Sequence, residues 1–286
     1  MTMTTRTLSA PLLADLVFEL AMPDGAVEVI ADDIDHVEIA LEATADSPAA
    51  RAIADATLTT RGSVVRLHVP APEHDTVTVI SRNTVVTGLV IDADMVFLGE
   101  GIVITGGGGV RATIRLPRRS ALRVETRSAD VRTRGLLETL DFESVSGDLT
   151  ADTVRSLTAT TTSGDVRVGD ADGVSVSTKS GDIRIGRTTV AVLRSTSGDI
   201  QITDFGGSGR LTTTSGDITV TASRPGRLCA ASTSGDVTVT ATADLAALGE
   251  GGLVVEARST RGDVYTPRLA SALTGSRGVR YAAPVI

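Results

Sequence analysis

The chain has 286 residues, 41% of them hydrophobic and 22% charged, enough apolar surface for a core, which excludes global disorder. With no Trp, four Phe and two Tyr, that core must be filled by Val, Ile, Leu and Ala, as thin stacked coils allow and a bulky globular interior does not. A formal net charge of −8 weighs against a nucleic-acid partner, which needs clustered Lys and Arg, and a single cysteine, Cys229, excludes an intrachain disulfide or a thiolate zinc site.

The opening stretch "MTMTTRTLSAPLLADLVFELAMPDG" lacks a basic region followed by an unbroken apolar one, and no run approaches the roughly 18 apolar residues of a membrane span. A cytoplasmic location is expected, with any membrane association made through a partner. Residues 1–120 alternate apolar and polar side chains in "LVFEL", "AVEVIA", "HVEIALEA", "SVVRLHV", "TVTVIS" and "ATIRLP", the period of strands with one buried face. They read as irregular N-terminal coils continuous with the region beyond residue 120, interrupted by a short helix at "SPAARAIADA", 47–56. "TGGGGV" at 105–110 lacks the Lys and Ser/Thr of a phosphate loop and reads as a bend. The basic stretch from Arg115 to Arg123 reads as a solvated strand and turn. His36, His68 and His74 are scattered, without the paired spacing of a metal site or a catalytic base.

From residue 121 a repeat takes over. Corners read "SAD" at Ser128, "SGD" at Ser146, Ser163, Ser180, Ser197, Ser215 and Ser234, and "RGD" at Arg261, with gaps of 18, 17, 17, 17, 18, 19 and 27. Near-constant spacing is the mark of a solenoid in which each repeat is one coil. A small hydroxyl precedes every corner by two residues, at Thr126, Ser144, Thr161, Thr178, Ser195, Thr213, Ser232 and Ser259. An apolar residue follows every corner Asp, from Val131 to Val264. Each coil is therefore a strand, a corner, a second strand and a looser return, as in "GDADG" at 169–173. At roughly 1.5–3 kcal/mol for each buried Val, Ile or Leu, a lone coil cannot offset its ordering entropy; coils must stack.

The predicted fold is all-β, a single elongated β-solenoid of about 17 to 19 residues per coil, with an antiparallel meander of hairpins as the competing geometry. Its parts are irregular coils at 1–120, the regular array at 121–266 with an insertion at about 242–252 that accounts for the long gap, and a cap or tail at 267–286. Stacking makes a structural turn ladder of Asp130; Ser146, Gly147 and Asp148; Ser163, Gly164 and Asp165; Ser180, Gly181 and Asp182; Ser197, Gly198 and Asp199; Ser215, Gly216 and Asp217; Ser234, Gly235 and Asp236; and Gly262 and Asp263. Glycine is expected to accommodate the angles of the corner, Ser and Asp to bond to nearby backbone, and the inward hydroxyl to bond along its own column. Aspartates about 4.8 Å apart repel by roughly 0.9 kcal/mol in water and 3.5 kcal/mol at a dielectric of 20. Either turn N–H groups and the arginines two residues on, at Arg132, Arg167 and Arg184, offset that repulsion, or a cation column does.

Catalysis has no visible apparatus: no Gly-x-Ser-x-Gly elbow is present, and the repeat region has no His to activate its many serines. No catalytic residue, cofactor, metal or small-molecule substrate is expected. "TRSADVRTRG", "TTSGDVRVGD", "TKSGDIRIG", "STSGDIQITD" and "STSGDVTVTA" together resemble the bacterial adhesin-like β-strand-repeat family, a domain of unknown function. The resemblance covers about 110 to 266 well and the N-terminal third loosely. It implies a β-helix-type fold, links to envelope-stress or membrane-associated systems, and no established enzymatic activity. The expected function is a rigid, non-enzymatic scaffold that binds a protein partner or self-assembles, with Arg132, Arg167 and Arg184 as a candidate interaction face. The alternatives are a secreted or surface adhesin and, behind it, a carbohydrate-active β-helix enzyme.

Overall fold

The computed structural model describes residues 2–11, 16–71, 77–81, 84–88, 109–247, 252–267 and 279–282. In the N-terminal part the strands are β1 (Met3–Pro11), β2 (Val17–Ala21), β3 (Ala26–Asp32), β4 (His36–Thr44), β5 (Thr57–Arg61), β6 (Val64–His68), β7 (Val77–Ser81), β8 (Thr84–Gly88) and β9 (Arg111–Pro117), with helix α1 (Pro48–Ala54) after β4. The repeat region contributes β10 (Ala121–Glu125), β11 (Asp130–Glu143), β12 (Leu149–Thr160), β13 (Val166–Ser177), β14 (Ile183–Arg194), β15 (Ile200–Thr213) and β16 (Ile218–Ser232). Then come β17 (Val237–Ala241), helix α2 (Ala243–Ala247), β18 (Leu253–Ser259), β19 (Val264–Pro267) and β20 (Val279–Ala282).

Parallel pairing decides between the two geometries. β11 through β16 pair each with the next in parallel, so that Val166 lies beside Ile183 and Ile183 beside Ile200. The chain is a β-solenoid. Antiparallel pairing among the described residues is confined to β1–β4, β4–β9, β5–β6 and the separate β7–β8 hairpin. Each long strand bends twice: in β13 the buried side chains are Val166 and Val168, then Ala171, then Val174 and Val176, so the alternation slips by one residue on either side of Ala171. Three buried sides result, a post-corner arm, a short middle and a pre-corner arm, and the Ser-Gly-Asp corner closes the circuit. The core is an aliphatic column, with Phe142 and Phe205 buried where extra volume is needed.

The N-terminal third enters this stack out of chain order. β2 pairs in parallel with β10, and β3 with β11, so Met22, Pro23, Asp24 and Gly25 form a corner directly beside Thr126–Ala129. β6 and β9 form the next coil outward on β2 and β3. Antiparallel β4 and β1 then cover β9, and β5 covers β6.

Helix α1 sits against β4 and β1 at this end. Ser47 caps it by accepting the Ala50 N–H at 3.1 Å, Pro48 opens its first turn, and Ala49, Ala52 and Ile53 are buried. Arg6 donates to the carbonyls of Ile53 and Ala54 at 2.8 and 2.6 Å, which satisfies the helix C-terminus. At the other end β16 pairs with both β17 and β18, and β19 and β20 continue the post-corner column in parallel. Among the described residues no helix is long and apolar enough to cross a membrane.

Candidate functional site

The corner aspartates form a hydrogen-bonded ladder. Oδ1 of each accepts the backbone N–H of the Asp in the next coil: Asp130 from Asp148, Asp148 from Asp165, Asp165 from Asp182 and Asp182 from Asp199, then Asp199 from Asp217, Asp217 from Asp236 and Asp236 from Asp263, all at 2.8–3.0 Å. Each carboxylate thus stands in for the carbonyl a strand ladder would supply where the chain turns. The column begins at Asp130, because Ala26 lies beside it and its own N–H goes to the Gly25 carbonyl at 3.0 Å. Arg167 and Arg184 donate to Asp165 and Asp182 at 2.7 and 2.8 Å and approach Asp148 and Asp165 at 4.0 and 3.8 Å. Arg132 makes no ion pair among the described residues. The turn carboxylates are therefore held chiefly by amides, with arginines on three of the eight.

The hydroxyls do not bond along their own column. Thr126, Ser144, Thr161, Thr178 and Ser195 each accept the N–H three residues on, from Ala129, Gly147, Gly164, Gly181 and Gly198, at 2.8–3.0 Å. Thr213, Ser232 and Ser259 instead donate to the carbonyls of Gly198, Gly216 and Gly235 in the coil before.

The glycine's role also differs from a turn residue's. None of the corner glycines from Gly147 to Gly262 has positive φ. A Cβ added at Gly164, Gly181 or Gly198 would lie 2.0 Å from the carbonyl oxygen of the glycine one coil before. Close backbone stacking, rather than backbone angle, excludes a side chain there.

Two flat flanks leave the corners. On the post-corner arm the outward row runs Arg132, Thr150, Arg167, Arg184, Gln201 and Thr219. A shallow groove of about 380 Å³ crosses it above Gly169 and Gly186. Most arginines on this side are engaged: Arg134 with Glu28 at 2.9 Å, and Arg187 with Asp204 at 2.6 Å. A hydrogen bond from Ser223, then Arg187 and Arg224, holds Asp204 below the usual carboxylate range. On the pre-corner arm Arg194, Arg210, Arg227 and Arg258 are exposed and make no ion pair among the described residues. Val190 and Val192, 50% and 38% exposed, stand beside them.

Little here resembles a reaction centre. Among the described residues no three of His, Cys, Asp and Glu gather as a metal site. His36 lies between Asp35 at 2.7 Å and Glu38 at 2.9 Å, and its hydrogen bond to Asp35 raises its pKa above the ordinary value. Arg115 shares Glu38 with it, so the imidazole belongs to a surface ion-pair cluster. His74 and residues 105–108 of the glycine stretch lie outside the described residues. Because every Oδ1 from Asp130 to Asp236 already accepts an amide, calcium is expected to shift the melting temperature no more than a monovalent salt of equal ionic strength. A rise reversed by chelator would show instead that the column holds cations.

A family model described as Toastrack DUF4097 matches residues 76–277. No curated protein matches the chain. Among solved structures, a candidate adhesin from Parabacteroides merdae ATCC 43184 is similar at 9% identity over 98% of this chain and 96% of that one, with a TM-score of 0.35. A candidate adhesin from Parabacteroides distasonis ATCC 8503 gives 11% identity, 98% and 97% coverage and a TM-score of 0.37. A candidate cell adhesion protein from Clostridium sporogenes ATCC 15579 gives 8% identity, 90% and 100% coverage and 0.26.

Proposed function

We propose, on the premise that this chain belongs to the Toastrack DUF4097 family, that it is a non-catalytic binding module: a rigid β-solenoid that holds a protein against its pre-corner flank. The observation that carries this reading is where polar groups are left unspent. Corner carboxylates are consumed in holding coils together, and corner hydroxyls in closing their own turns or reaching the coil before. Arg167 and Arg184 are consumed in turn by the carboxylates. The pre-corner flank keeps four exposed arginines and two exposed valines on a flat β surface. Exposed arginine beside exposed apolar surface is the composition of protein-contact patches.

Placing a photoreactive amino acid at Ser175 on that flank, and in a second strain at Thr219 on the opposite one, tests the reading in native cells. Crosslinks to protein are expected from position 175 and not from 219. The reverse pattern, or none from either, overturns it, and fractionation of the same cells tells a cytoplasmic partner from surface attachment.

A further inference from the structure

We propose that the pre-corner flank pairs with the same flank of a second copy, the two solenoids lying antiparallel about a two-fold axis. This rests on the binding-module reading and names its partner. The register fixes two adjacent outward rows across five coils: Asp141, Thr158, Ser175, Val192 and Arg210 in one, and Glu143, Thr160, Ser177, Arg194 and Thr212 in the other. Charge is segregated along them. Asp141 and Glu143 lie at one end, and Glu125 adjoins Glu143 in the coil before. Among the described residues Arg123 is the one cation paired near them, 3.4 Å from Glu125 and 3.7 Å from Glu143, and Asp141 makes no ion pair. Arg194 and Arg210 lie at the other end, and Arg227 follows them beside Ser208. The two coils between carry only Thr158, Thr160, Ser175 and Ser177 on these rows, short and uncharged.

Such a surface is complementary to itself in one orientation. With the two-fold axis at Ser175, Arg210 of one copy faces Asp141 of the other, Arg194 comes within one coil of Glu143, and the symmetry makes each contact twice. A parallel arrangement would set acid over acid and arginine over arginine. Val190 and Val192, one coil from the axis, would be covered against hydroxyl side chains of the second copy. Seven strands, β10 to β16, spaced about 4.8 Å apart and each about five residues long, give roughly 1,100 Å² in total for both partners, near the lower limit for a specific interface. The association is therefore reversible and strengthened by low salt.

Sedimentation velocity of the full chain over a concentration series reads this directly. The wild type is expected to show a monomer–dimer equilibrium that weakens with salt. The pair Arg194→Glu with Arg210→Glu, and separately Asp141→Arg with Glu143→Arg, should each weaken self-association by about tenfold or more. Mixing the two variants should restore a one-to-one complex, because each then offers what the other lacks. Should either double variant melt well below the wild type, Arg210→Glu and Asp141→Arg alone make the same comparison. A wild type that stays monomeric, or a dimer indifferent to both reversals, overturns the proposal. A monomer whose position 175 still crosslinks to a different protein sinks the second copy and leaves the binding module standing.

Discussion

Gly181→Ala is expected to destabilise the solenoid by about 3 kcal/mol or more, at the upper end of what one added methyl group costs in a packed interior. The new Cβ would lie 2.0 Å from the Gly164 carbonyl oxygen, 2.7 Å from its carbon and 3.1 Å from Thr178 Oγ1. Two of these three atoms are backbone, so no rotamer change relieves the contact and the coils must separate. Separation stretches the 2.9 Å bond from the Asp182 N–H to Asp165 in the coil before, and relieving the Cβ against Thr178 Oγ1 disturbs the 3.0 Å bond that the Gly181 N–H makes to that hydroxyl within its own corner, each worth about 0.5–1.5 kcal/mol. Against a typical total of about 5–15 kcal/mol this is a large fraction. Gly173→Ala supplies the control, because a Cβ there meets nothing within 4 Å and the change should fall within about 1 kcal/mol of wild type. Repeat arrays need not unfold in one step, so urea melts are best read beside hydrogen exchange in the coils around β13 and β14. Equal effects at 173 and 181 would show that stacking does not require the glycine.

What the sequence displays and what it hides separate at the same corners. Ser-Gly-Asp recurs at a near-constant distance along the chain, and near-constant distance is what one circuit of a solenoid produces, so coil length, buried phase and the aspartate column were all readable. The corner at Met22–Gly25 was not. It keeps a glycine, Gly25, beside Ala129, but puts Asp24 two positions early, beside Ser128, and Met22 where the others have a hydroxyl. Its neighbour in the stack, β10, lies about a hundred residues away.

The reason for the glycine was hidden for a related cause. One copy of the motif suggests a bend, whereas the carbonyl that forbids a side chain belongs to the coil before. The charge segregation on the pre-corner flank is likewise a property of register. Asp141 and Arg210 are 69 residues apart, and only the parallel pairing puts them in one row.

Asp217→Ala and Asp217→Asn should separate the acceptor from the charge. Asp217 accepts the Asp236 N–H at 2.8 Å, donates its own N–H to Asp199 at 2.8 Å, and has no ion pair among the described residues, since Thr219 stands where Arg184 serves Asp182. Alanine removes the acceptor and leaves the Asp236 amide to water, which should cost about 1–2 kcal/mol. Asparagine keeps an oxygen in place but replaces a charge-assisted bond by a neutral one, a loss of about 1 kcal/mol. It also removes repulsion from the carboxylates on either side, about 0.9 kcal/mol each in water at 4.8 Å before screening. These terms nearly cancel, so Asp217→Asn should lie within about 1 kcal/mol of wild type, well above Asp217→Ala. Added salt screens the repulsion between exposed neighbours more than the bond at contact. Raising it should therefore favour wild type over the asparagine variant. If asparagine proves as damaging as alanine at every salt concentration, the ladder is held by the negative charge itself and not by an oxygen placed where the next coil turns its amide.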